Sequence, residues 1–279
     1  MLTLDTDQLS TQEIQQYLQY AIAPRPICFA STIDLAGNVN LSPFSFFNLF
    51  SMNPPICIFS PSRRVRDNTT KHTLENIKEV PECVINIVNY NMVQQVSLSS
   101  CDYPKGTNEF TKAGFTELAS ELVRPPRVAE SPIQLECIVQ EVIALGAQAG
   151  AGNLVLAEIK KIHLHESILD TNNHIDQAKL DLVARLGGDW YARITEANLF
   201  KVEKPNTKLG IGFDQLPIAI KESSVFTANE KAQLANTNIA PLLNTTNELK
   251  LSSENIQQIK AALSNNETEL AWTIIQSLV

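Results

Sequence analysis

The sequence predicts a mainly β protein: a small closed or partly open antiparallel barrel with peripheral helices, followed by a helical C-terminal extension. Three observations carry this expectation. Short apolar runs bounded by turn residues recur between Ile27 and Leu164 with few helical segments among them. The two longest runs, Ile133 to Leu145 and Leu154 to Leu164, flank GAQAGAG. That connection is shorter than the dozen or so residues a parallel crossover needs, so the pair forms an antiparallel hairpin. After Lys204 and Pro205 the texture shifts to Asn, Thr, Gln and Ala, and helix-start signals replace strand signals.

In chain order, Ser10 with Glu13 makes a capping box for a helix whose apolar stripe is Ile14, Tyr17, Leu18 and Ala21, ended by Pro24 and Pro26. ICFASTI from Ile27 reads as the first strand, DLAGN as a turn, and Val39 as the start of the second strand. A third strand, Ile56 to Phe59, follows two prolines. A helix over Lys71 to Val80 leads to a fourth strand, Cys83 to Val88, and the long hairpin brings the total to about six. Residues 1–204 form the barrel domain and 205–279 the extension. In the extension, Thr227 with Glu230 and Ser252 start helices, and Ile256, Ile259 and Leu263, then Trp272, Ile275 and Leu278, recur at helical spacing. These stripes are expected to pack on the barrel or across a dimer.

The chain has 279 residues, 44% of them hydrophobic and 19% charged, which places it among folded proteins. A net charge of −8 argues against a broad nucleic-acid or anionic-membrane surface, so an anionic ligand needs a local basic pocket. Five cysteines make no CxxC pair, and four lie in apolar strand-like runs, as buried reduced thiols do. The N-terminal segment carries acids and no basic-then-apolar leader, and no apolar run approaches the roughly 20 residues of a membrane helix. A cytoplasmic location is expected.

The glycines at 146, 150 and 152 lie between strands and open no helix, so they read as a turn and not as a dinucleotide fingerprint. No Walker lysine, GxSxG or HExxH is present. His163 and His165 share one strand face, but no third ligand stands at metal-binding spacing and no metal is expected. The informative stretch runs from Pro24 to Ser60. It interleaves Ser31, Thr32, Asn40, Ser42 and Ser45 with strand residues and follows them with Phe44, Phe46, Phe47 and Phe50. Small donors suit a phosphate and a ribityl chain, and aromatic walls suit a planar ring. On spacing alone, turn-type Ser, Thr and Asn at hairpin ends over an aromatic core fit equally well.

At these residues the sequence resembles the flavin reductase-like family, flavoredoxin-type proteins with an FMN-binding split β-barrel of antiparallel, Greek-key type. The resemblance rests on PRPI, ST-I-D and GNVNLSPFSFFN, the double proline, K-x-T-x-x-N-I at Lys71 to Ile77, and VINIV at Val84. It continues through Ser99 and Ser100, NEF and AGF between Asn108 and Phe115, PPRVAESP from Pro125, LEC ending at Cys137, and RLGGDWYAR from Arg185, covering residues 20–204 in order. It implies a homodimer with one FMN per barrel near the subunit interface. Thr32, Asn40, Ser42 and Ser45 become ligand contacts, with Ser31 and Phe46 beside them. Ser60, Lys71 and Thr73 fall near the phosphate. Arg185 shapes the flavin or nicotinamide side of the pocket or packs the subunits together.

Where the family has an acid between that lysine and threonine, this chain has His72. Arg63, Arg64 and Arg66 are either a solvated loop or an attractor for the phosphates of FMN or NAD(P)H. The implied activity passes hydride from NAD(P)H to flavin and on to a further acceptor, including a protein acceptor, and names no catalytic acid or base. The alternative is an FMN-binding electron carrier that does not itself oxidise NAD(P)H.

Overall fold

The computed structural model of the chain describes residues 1–205, 207, 209–238, 249 and 251–278. The chain divides into two compact units, Met1–Leu199 and Phe200–Val279.

In the first unit, helix α1 (Thr11–Ala21) starts on the expected capping box. Strands β1 (Cys28–Ile33), β2 (Val39–Phe44), β3 (Phe47–Met52) and β4 (Pro55–Phe59) follow, then α2 (His72–Glu79) and β5 (Glu82–Ile87). Helices α3 (Val93–Leu98) and α4 (Glu109–Ala113) precede two short strands, β6 (Glu117–Leu118) and β7 (Arg127–Val128). The long hairpin β8 (Ile133–Ala144) and β9 (Asn153–Leu164) comes next, and α5 (Gln177–Leu180), β10 (Val183–Arg185) and β11 (Tyr191–Arg193) close the unit.

Seven strands form one antiparallel sheet in the order β2-β1-β5-β8-β9-β4-β3. Alternation of side chains sends Cys28, Ala30, Cys57, Phe59, Cys83 and Ile85 to one interior, where Cys137, Val139, Val155 and Ala157 meet them. On the opposite side Phe29 and Leu41 pack on Met92, Val96 and Phe110. Strand β1 is therefore buried on both faces, which is why ICFASTI is a continuous apolar run. Four of the five cysteines lie in the interior as free thiols, and burial pushes the Cys28 thiol up, away from its reactive thiolate form.

The sheet is open, not a closed barrel. Its edges are β2 and β3, which are adjacent in sequence but do not pair with each other. The sheet nevertheless curls on itself, because the Phe44 ring at the end of β2 lies 5.3 Å from that of Phe59 on β4. Strand β3 was not expected from the sequence. Its Leu49, Phe50 and Met52 are all exposed and a bulge interrupts its pairing with β4, so FNLFSM shows no inside-outside alternation. The β2 edge is covered where the Glu109 carboxylate accepts the Leu41 backbone N–H at 2.9 Å.

The second unit contains α6 (Ile218–Lys221), α7 (Ala228–Ala235), α8 (Ser253–Ser264) and α9 (Thr268–Gln276). Thr227 and Glu230 form a capping box and Ser252 caps α8. The apolar stripes bury against one another: Leu234, Ile259, Leu263, Trp272 and Ile275 make a core of their own, and the Trp272 indole donates to the Leu234 carbonyl at 2.9 Å. No helix among the described residues is long and apolar enough to cross a membrane.

Candidate functional site

A cavity of about 790 Å³ opens where α1, the β2–β3 connection and the segment after β4 converge on Lys71. One wall is apolar, with Ile14 and Leu18 of α1 and Ile22 just after it; Pro43, Phe44 and Phe46 also line it. No residue of α1 is fully buried, so its stripe serves the cavity and not the sheet's core.

Helix α1 is fixed by two devices. Arg25, itself buried, donates to the carbonyls of Gln19 at 2.6 Å, Ile22 at 2.7 Å and Leu186 at 2.9 Å, and its Nε reaches the Ser45 hydroxyl at 3.4 Å. Tyr20 lies on the turn Gly187–Gly188, where a Cβ at Gly187 would stand 2.3 Å from the ring and one at Gly188 2.6 Å from its hydroxyl. The RLGGDWYAR block is thus the anchor of α1. Arg185 exchanges backbone hydrogen bonds with Arg25 at 2.9 and 2.8 Å, donates to the Gly188 carbonyl and stacks on Tyr191 at 4.6 Å. We expect Gly187→Ala to force the Tyr20 ring out, to cost about 1–3 kcal/mol of stability and to loosen the cavity wall. Thermal melts and limited proteolysis at α1 check this; an unchanged melting temperature with α1 still protected would contradict it.

The rest of the lining carries the charge. Arg25, Arg63, Arg64, Arg66 and Lys71 line the cavity with a single carboxylate, Asp102, in a chain of net charge −8. Arg63 is tied to Asn68 through its side-chain oxygen at 2.6 Å and its carbonyl at 2.5 Å. Arg64 donates to the Thr69 hydroxyl at 3.0 Å and to the Thr70 carbonyl, and its buried Nε has no hydrogen-bond partner among the described residues. Lys71, the N-cap residue of α2, is partly buried and its ammonium makes no hydrogen bond or ion pair among the described residues. Burial, then the neighbouring Arg64 charge, pushes its pKa down.

Ser45, Phe46, Ser60 and Lys71 of the sequence-derived set line this cavity. Asn40, Ser42 and Thr73 line an adjoining cleft of about 30 Å³ together with Lys71 and Glu109. There the Thr73 hydroxyl donates to Asn40 at 2.7 Å, and the Asn40 amide donates to Glu109 at 2.8 Å. These two residues tie α2, β2 and α4 together behind the site. Ser31 and Thr32 are fully buried in β1 and line neither cavity; the Thr32 hydroxyl accepts from Asn76 at 3.3 Å, and the Ser31 hydroxyl has no hydrogen-bond partner among the described residues. Arg185 lies outside the lining, behind Arg25.

The sequence reading missed Arg25, Ser62, Ser100 and Asp102 as wall residues, and also the face that the α1 stripe covers. The glycine-rich connection is a turn, as read, but it also borders the site. Gly150 has φ +88° and no room for a Cβ beside Thr11, and a Cβ at Gly152 would stand 2.7 Å from the Ser60 hydroxyl. That hydroxyl in turn accepts the Asn153 N–H at 3.1 Å. His72 lines a second, open cavity of about 410 Å³ with Arg64, Arg66, Asp102 and Lys105, and burial followed by the Arg64 charge favours its neutral form. His163 is engaged by Glu136 at 2.7 Å, and no group of three His, Cys, Asp or Glu among the described residues is placed to hold a metal ion.

Comparison with known proteins matches residues 20–179 to the model of the flavin reductase like domain. An uncharacterised protein of Halalkalibacterium halodurans is 35% identical over 206 residues, 73% of this chain and 97% of that protein. Nitrilotriacetate monooxygenase component B from Bacillus cereus superposes with a TM-score of 0.67 at 27% identity, over 72% of this chain and 98% of the other. A protein from Shewanella frigidimarina described as a flavin reductase with a split barrel domain gives 0.61 at 25% identity, over 71% and 95%. The open, curled sheet lies wholly within the matched residues, and the chain belongs to the flavin reductase like family.

Proposed function

We propose that the 790 Å³ cavity binds FMN, with the phosphate at Lys71 and Arg64 and the ring system between the α1 stripe and Phe46. The observation that carries this reading is the Lys71 ammonium, partly buried, desolvated and without a hydrogen-bond partner, next to an Arg64 Nε that also lacks one. An anion satisfies both, and a phosphate monoester is the anion a flavin nucleotide brings. The N-terminus of α2, with no side-chain cap on its amides, adds its partial positive charge.

FMN, when bound, supplies hydride acceptance and onward electron delivery. The chain supplies the rest: Lys71 and Arg64 hold the phosphate, Ser45, Ser60 and Ser62 offer hydroxyls to the ribityl chain, and Ile14, Leu18, Ile22 and Phe46 keep water from the ring. The activity that follows is NAD(P)H-dependent flavin reduction in the cytoplasm, with electrons passed to a further acceptor. A second copy of the chain is the natural cover for β3, an edge strand with Leu49, Phe50 and Met52 exposed, and a homodimer is proposed on that ground.

The purified protein should stay yellow through gel filtration or after loading with FMN, and should bleach when NADH or NADPH is added without oxygen. A flavin-loaded protein that stays yellow with both nicotinamides is the electron carrier instead. A protein that takes up no FMN at all defeats both readings.

A further inference from the structure

Asp102 is the one carboxylate among the five cations that line the main cavity, and it also lines the 30 Å³ cleft and the 410 Å³ cavity. Only Arg64 shares that position at the junction of all three. The Asp102 carboxylate bridges two guanidinium groups, with Oδ1 3.6 Å from Arg64 and Oδ2 hydrogen-bonded to Arg66. The pairing crosses between separate segments: Asp102 stands between α3 and α4, and the arginines follow β4. Arg64 is held in place by Thr69 and Thr70 and its side chain is only 14% exposed, whereas Asp102 is 53% exposed on its segment. Arg64 is therefore the enclosed, tethered partner of the pair and Asp102 the solvent-facing one.

A carboxylate on two guanidinium groups presents the charge and the in-plane oxygens that a phosphate presents. We propose that Asp102 is an internal counter-ion of the phosphate site: an entering phosphate monoester displaces it from Arg64 and Arg66, and its departure joins the main cavity to the one beside it. The residue sets how strongly the site prefers a phosphorylated flavin over an unphosphorylated one. With Asp102 on both guanidinium groups and Asp67 on Arg66 at 3.0 Å, two carboxylates balance the charges of Arg64 and Arg66, and a phosphorylated flavin must compete with Asp102 for them. Lys71, which has no such counter-ion bonded to it, is the first cation to receive the phosphate. This inference rests on the flavin-nucleotide reading of the cavity, and the test separates the two.

The affinities of FMN, riboflavin and inorganic phosphate are measured for the wild type, Asp102→Asn, Arg66→Gln and the double variant, by flavin fluorescence and by phosphate-induced shifts in melting temperature. Asp102→Asn is expected to tighten FMN and phosphate by about three- to tenfold and to leave riboflavin unchanged, the range set by releasing exposed ion pairs. The gain should shrink in the Arg66→Gln background, as a double-mutant cycle between paired groups requires. FMN and phosphate affinities that stay the same or weaken in Asp102→Asn overturn the counter-ion role while leaving the flavin reading intact. Equal shifts for FMN and riboflavin overturn it too, since they point to cavity shape and not charge. Should the wild type bind neither flavin while Asp102→Asn still tightens phosphate, the counter-ion role stands and the flavin reading falls.

Discussion

Methionine in place of Lys71 is expected to weaken FMN binding by about ten- to a hundredfold and to change riboflavin affinity by less than about threefold, the range for losing a charge-assisted hydrogen bond. Methionine is an unbranched chain that matches the apolar stem of lysine, with sulfur in place of Cδ, and lacks the ammonium, so the cavity wall is kept while the charge is removed. The ligand-free protein should melt at or slightly above the wild-type temperature, because burial of the Lys71 ammonium beside Arg64 costs more than the Asp102 charge gives back. The sign agrees with its lowered pKa: the folded state disfavours the charged form, so the penalty is present while Lys71 is protonated and fades as pH rises through its folded value. FMN should stabilise the wild type against heat and the variant much less. A Lys71→Met protein that binds FMN as tightly as the wild type would remove the phosphate from this corner of the cavity.

What could be read from the sequence divides along physical lines. The β1, β2, β4 and β5 strands and the β8–β9 hairpin were legible because their burial follows directly from local apolar runs, and the Ser10–Glu13 and Thr227–Glu230 boxes because capping is local. Strand β3 was not, since exposed Leu49, Phe50 and Met52 break the alternation that marks a strand. The same divide runs through the site. Lys71, Ser45, Phe46 and Ser60 stand in or just after a hairpin whose donors and aromatics are close in sequence. Arg25 stands inside the Pro24 to Ser60 stretch, but its partners are carbonyls of Gln19, Ile22 and Leu186, and Asp102 comes to the wall from a distant segment with no spacing rule that links it to Arg64 and Arg66. Asn40 and Thr73 have the right chemistry for a ligand, yet their polar atoms meet each other and Glu109, a pairing visible only once α2, β2 and α4 are packed.

Glu136 shows the same limit from the side of stability. From the sequence it was one residue of the LEC match, and His163 a member of an HxH pair with metal as its conceivable use. In the structure the fully buried Glu136 carboxylate accepts the backbone N–H groups of Glu121, Leu122 and Val123 at 2.9, 2.6 and 3.2 Å, and His163 Nε2 at 2.7 Å. Replacing it with alanine strands these donors, and we expect a loss of roughly 3 kcal/mol in urea unfolding at neutral pH. Burial by itself raises the Glu136 pKa, but the backbone amides and His163 outweigh it and hold the carboxyl below the ordinary glutamate value. A depressed carboxyl stabilises the fold above its unfolded pKa and loses that contribution as pH falls through its folded pKa. The gap between wild type and Glu136→Ala should therefore be widest near neutrality and narrow below the ordinary glutamate range. A gap that is constant from neutral to acid pH would mean that the carboxylate's charge contributes nothing and that the alanine acts only by leaving a void.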